Sequence, residues 1–179
     1  MVVHGFGEDE GGVAGYAACE LRRLVREHRG IRLPPTAGPG EPAAALPADD
    51  LIVLGTCDAS PAAARLLRDG FLPRPAQPQG YAMRAAAHPA DSRRWLLAIV
   101  GSDAAGALYA LRDLEHYHLR ALAVAGGRLE VAPFARRDHP RIAYRGHWVW
   151  GCNMPDKRAW IENMSRWKLN ELIHWDNTP

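Results

Sequence analysis

Apolar positions at Val13, Tyr16, Ala17, Leu21, Leu24 and Val25 recur at helical spacing and predict an amphipathic helix over 13–28, stopped at Gly30. Val2-Val3-His4 before it reads as a short strand. Residues 34–50 hold Pro34, Pro35, Gly38, Pro39, Gly40, Pro42 and Pro47 and read as a surface loop. Leu51-Ile52-Val53-Leu54 is a buried-strand run, and Ser60-Pro61 opens a helix that ends near Gly70, with serine as N-cap and proline in the first turn. Two further strands are expected at 80–85 and 95–100, the second uniformly apolar as a central strand is. A helix follows Gly101-Ser102-Asp103, with Ala104, Ala107, Leu108, Leu111, Leu114 and His118 at helical spacing. Gly126-Gly127 splits a short hairpin. From Asp138 onward the pattern is strand (142–150), helix (155–167), strand (171–175), the unit from which parallel sheets and barrels are built.

The expected fold class is therefore α/β: an α+β domain over 1–137, a mixed sheet with helices packed on it, followed by one strand–helix–strand unit over 138–179. Composition agrees with a globular chain: 179 residues, 47% hydrophobic and 23% charged. A net charge of +2 gives no broad field for a polyanion, so nucleic acid is not an expected partner. No apolar run approaches the roughly 18 residues of a membrane span, and the first ten residues have no basic or apolar signal region, so a cytoplasmic location is expected. Cys19, Cys57 and Cys152 are odd in number and far apart, which suits free thiols in a reducing compartment. The basic residues are arginine except Lys157 and Lys168, and with the abundant Ala, Gly and Pro this suggests a bacterial gene.

Several motifs fail on inspection. Gly5-Phe6-Gly7 begins like a dinucleotide fingerprint, but its third glycine would fall on Glu10, beside Glu8 and Asp9, which repel phosphate. Gly55-Thr56-Cys57-Asp58-Ala59 resembles a nucleophile elbow with no base assignable to it, and reads as a strand-to-loop turn. His116 and His118 point about 200° apart on a helix and cannot share one metal ion. No metal or other cofactor is expected. Ala135-Arg136-Arg137-Asp138-His139-Pro140-Arg141 reads as a solvated linker between the two parts.

The segment 138–177 does resemble a family. His139-Pro140-Arg141-Ile142-Ala143-Tyr144-Arg145-Gly146 is similar to the opening of the catalytic barrel in family 20 glycoside hydrolases, the β-N-acetylhexosaminidases. Met164-Ser165-Arg166-Trp167-Lys168-Leu169-Asn170 is similar to the approach to that family's second barrel strand. The order Gly80-Tyr81-Ala82-Met83, then Trp95 to Ile99, then Gly106-Ala107-Leu108-Tyr109-Ala110-Leu111 resembles the small zincin-like domain that precedes this barrel and binds no zinc. α-Glucuronidases share that domain. The sequence departs from family 20 where Trp150 replaces an aspartate, and where Ile173-His174-Trp175-Asp176-Asn177 replaces a His-x-His strand.

The resemblance implies an auxiliary domain and the start of an incomplete (β/α)8 barrel, in a parent enzyme acting on N-acetylhexosaminides or, alternatively, uronic-acid glycosides. It implies sugar contact at Arg145, and places His174 and Asp176 near the carboxyl end of a barrel strand, where such active sites lie. The carbohydrate partner would be met through the full-length enzyme. A stand-alone sugar-binding or protein-interaction module is the reading from other classes. Family 20 uses a later Asp-Glu pair, the Glu as general acid. None occurs after Asp138, so no catalytic residue is assigned and the chain alone is expected to be inactive.

Overall fold

A computed structural model of the chain describes residues 1–6, 11–37, 49–150 and 156–175. It divides into two compact units, Met1–His139 and Pro140–Pro179. Among the described residues no helix is long and apolar enough to cross a membrane.

The first unit is built on a six-stranded mixed sheet. Its strands are β1 (Val2–Gly5), β2 (Thr36–Ala37), β3 (Leu51–Thr56), β4 (Tyr81–His88), β5 (Asp91–Gly101) and, after the β6–β7 hairpin (Leu122–Ala125, Arg128–Val131), β8 (Phe134–Asp138). The spatial order is β2-β1-β3-β5-β4-β8. β2, β1, β3 and β5 run parallel, whereas β4 is antiparallel to β5 and β8 to β4. Helices α1 (Gly12–Arg29) and α3 (Ala104–Tyr117) cover one face, and α2 (Pro61–Arg68) the other. Burial on both faces explains the unbroken apolar run of β3. Ile52 and Leu54 meet the α1–α3 side with Met83, Leu97 and Ile99. Leu51 and Val53 meet α2 with Leu96, Ala98 and Val100.

Local chemistry sets the helix ends. Ser60 Oγ accepts from Ala63 N at 3.3 Å, and Gly30 closes α1 in the left-handed conformation. Asp103 caps α3 by accepting from Gly106 N at 2.8 Å, while its second oxygen accepts from Gln79 N at 2.7 Å. Gly106 lies so close to the Gly80 carbonyl that a Cβ would meet it at 2.1 Å. Gly5, with φ +120°, presses on the Leu54 carbonyl in the same way, which accounts for the glycine without any bound dinucleotide.

Two polar clusters are packed into the α1–α3 side. Arg112, nearly fully buried on α3, donates to Glu20 of α1 and to Tyr16 Oη (3.2 Å). Arg23 donates to Glu20 (3.0 Å) and to Glu115 (3.2 Å). Burial pushes the Glu20 carboxyl up, but the Arg23 hydrogen bonds and the Arg112 charge outweigh it and hold it below the usual carboxylate range. In the second cluster Tyr81 donates to Asp113, and Arg136 Nε reaches both Asp113 (2.9 Å) and the Tyr81 hydroxyl (3.0 Å).

That second cluster corrects one expectation. Of the expected linker over 135–141, residues 135–138 belong instead to the edge strand β8, which begins at Phe134 and is anchored to α3 through Arg136. The proline-rich stretch likewise contributes β2, which pairs with β1.

Two histidines are held neutral. His88 Nδ1 accepts from Ala90 N at 3.1 Å, and its buried Nε2 has no partner among the described residues. His118 stacks on Phe134 at 4.4 Å, its Nε2 also buried and unpartnered among the described residues. Burial lowers both pKa values from the ordinary 6.5, and Arg136 adds to the effect at His118. The unfolded chain therefore binds more protons as acid is added. Stability is complete above about pH 7.5 and falls as the pH drops through 6.5. Melting at pH 5.5 is expected below that at 7.5; equal midpoints would show that neither imidazole resists protonation.

Candidate functional site

The second unit joins β9 (Gly146–Trp150) and β10 (Glu171–Trp175), parallel and in register, through α4 (Lys157–Arg166). Asp156 caps α4 by accepting from Ala159 N at 2.9 Å. A positive φ of 56° at Lys168 turns the chain from α4 into β10.

The two motifs that carry the family resemblance meet here. Arg145 N donates to Asn170 Oδ1 at 2.8 Å, Asn170 N returns a bond to the Arg145 carbonyl at 2.8 Å, and Asn170 Nδ2 donates to the Ala143 carbonyl at 2.7 Å. The Arg145 side chain joins this clamp. Nε donates to the Lys168 carbonyl at 2.8 Å, and Nη1 to the carbonyls of Ile142 (2.5 Å) and Ala143 (3.1 Å). Gly146 follows because a Cβ there would sit 2.4 Å from the Glu171 carbonyl. The Arg-Gly and Asn positions thus interlock the starts of two parallel strands. Sequence reasoning quoted Asn170 as part of a motif but gave it no role; the motif spacing was the signal.

The expected sugar contacts fall at different places. Arg145 lies at the amino end of the strand pair. His174 is in β10 opposite Val149, four positions further along, a rise of about 13 Å. The structure does not bring the two together along the strands. Asp176 lies outside the described residues.

Aromatic surface is abundant in this unit. His147 meets Trp160 of α4 edge-on at 5.8 Å, so the next residue, Trp148, projects from the opposite face of the pair, level with Ile173. Trp148 is 65% exposed and Trp167 78%.

Other candidate chemistry in the first unit is muted. The Cys57 thiol is buried and pushed up by that burial, so it stays protonated, and its backbone N–H is bonded to the Gly101 carbonyl. His116 packs on Tyr117 and His118 on Phe134. Among the described residues no group of three or more His, Cys, Asp or Glu side chains could hold a metal ion.

The fold is shared with glycoside hydrolases. The chain aligns over 99% of its length with 26% of CpGH84B, at a TM-score of 0.61 and 12% identity. It aligns over its full length with 19% of a family 138 glycoside hydrolase targeting pectin rhamnogalacturonan II, at a TM-score of 0.55 and 16% identity. A mutant β-hexosaminidase of Streptomyces plicatus, solved with its product GlcNAc, matches over 97% of this chain and 30% of its own, at 0.56 and 20% identity. At these identities the likeness is one of fold, and the chain spans less than a third of each of these enzymes. No protein-family model and no curated protein matches the sequence.

Proposed function

We propose that this chain is the non-catalytic first part of a glycoside hydrolase acting on N-acetylhexosaminides. In this reading residues 1–137 form a zincin-like auxiliary domain that buttresses a barrel, and 138–179 supply the barrel's first strand–helix–strand. The observation that carries it is the parallel β9–α4–β10 unit, closed by the Arg145–Asn170 clamp at the motif positions of the resemblance. The glycoside hydrolase fold of the chain supports it.

His174 and Asp176 are proposed as sugar contacts, since His174 is in the carboxyl-terminal half of β10 and Asp176 follows that strand in the sequence. Arg145 enters with a different weight. A direct sugar contact through its Nε or Nη1 would draw the guanidinium off three main-chain carbonyls, so its proposed role is to hold the strand starts in register.

The test compares two samples on an aryl N-acetyl-β-glucosaminide. One is the purified 179-residue chain. The other is the native gene product, captured from its own cell with an antibody to residues 1–135 and weighed intact. No turnover is expected from the chain, and hydrolysis is expected from a native product well above 19.7 kDa. Turnover by the chain alone, or a native product of 19.7 kDa, would overturn the reading.

A further inference from the structure

At the far end of the β4–β5 hairpin a groove of about 380 Å³ opens in the first unit, lined by Asp50, Arg93, Arg94, Trp95, Arg128 and Glu130 among others. That volume is at the small end of ligand sites, the size of one or two sugar rings.

Its charges are unevenly matched. Asp50, only 5% exposed, accepts from Trp95 N at 3.3 Å through one oxygen. Its other oxygen faces two guanidinium groups, Arg128 Nη2 at 2.7 Å and Arg94 Nη1 at 3.6 Å. One carboxylate thus serves two cations. Arg93 is matched separately, by two bonds to Asp91 at 3.0 Å. Glu130 is exposed at the rim. Arg94 is the outlier: its side chain is one-third exposed on the groove, and it makes that single long ion contact and no side-chain hydrogen bond among the described residues. A planar fork of N–H donors, partly desolvated and facing its one carboxylate only at 3.6 Å, matches a further carboxylate.

Beside it, Trp95 is fixed rather than loose. Its Nε1 donates to the Leu129 carbonyl at 3.1 Å and the ring packs against the core. The indole can therefore offer the groove a pre-oriented apolar surface without loss of side-chain freedom.

We propose that this groove binds a carboxylate-bearing pyranose, a uronic acid unit, with Arg94 and Arg128 on the carboxylate and Trp95 against the C–H face of the ring. An indole beside a guanidinium pair in so small a space suits a sugar acid better than an acidic peptide. The site lies wholly in the first unit and does not depend on the activity proposed above.

The experiment follows the Trp95 indole N–H by two-dimensional NMR of the labelled chain, with the signal assigned through Trp95→Phe. D-Glucuronate is expected to move it saturably, with D-glucose at least about tenfold weaker because it lacks the charged acceptor. Arg94→Gln is expected to leave the free-state indole signal in place and weaken glucuronate about tenfold. An unmoved indole, equal affinity for glucose and glucuronate, wild-type affinity in Arg94→Gln, or equal affinity for a glutamate-rich peptide would each overturn the proposal.

Discussion

Replacing Arg112 by alanine is expected to destabilise the first unit by about 3 kcal/mol. The guanidinium is nearly fully buried, and it is the only member of its cluster that reaches from α3 to both Glu20 and Tyr16 on α1 among the bonds described above. Its removal leaves the Glu20 carboxylate in a low-dielectric site with Arg23 as its remaining cation. Removing both charges is different. Arg112→Met combined with Glu20→Leu is expected to recover most of the loss, because apolar groups of similar volume carry no desolvation cost. Urea unfolding of the two variants checks this. A single variant within about 1 kcal/mol of wild type would mean that the pair is solvated in practice.

Asp113→Ala is expected to cost about 2–3 kcal/mol and to act at a particular place. It takes the Asp113 carboxylate away from the buried Tyr81 hydroxyl and from Arg136, the side chain through which edge strand β8 is tied to α3. Amide exchange in 134–138 is expected to quicken far more than in β5, which lies between two other strands. Asp113→Asn retains an acceptor and is expected to lose less. Uniform exchange across the sheet would show that main-chain pairing alone holds β8.

Periodicity located the helices and the central strands because their apolar faces are long. Ala104 to Tyr117 and Leu51 to Thr56 bury enough surface to leave a pattern in one dimension. β8 escaped because its sequence, Phe134-Ala135-Arg136-Arg137-Asp138, looks like a charged linker; its place depends on Asp113, more than 20 residues earlier. β2 is two residues long and carries no period at all. The Arg145–Asn170 clamp was half legible: both residues stood in recognisable motifs, but only the fold brings them within bonding distance. The groove at Trp95 was not legible, since Asp50, Arg94 and Arg128 come from three separate stretches, and Arg93-Arg94 alone reads as solvated charge.

Asp103 holds two chain segments at once, one with each oxygen. By local pattern the position is an N-cap, where asparagine and serine serve as well as aspartate. Here they are not equivalent. An amide would turn an NH2 toward either the Gly106 or the Gln79 N–H, donor against donor, and a serine oxygen is too short a reach for both. The carboxylate is the isostere that satisfies the two donors together, so a substitution table built on helix caps would overrate the tolerance of this site, and replacing Asp103 by Asn is a change of connectivity rather than of charge alone.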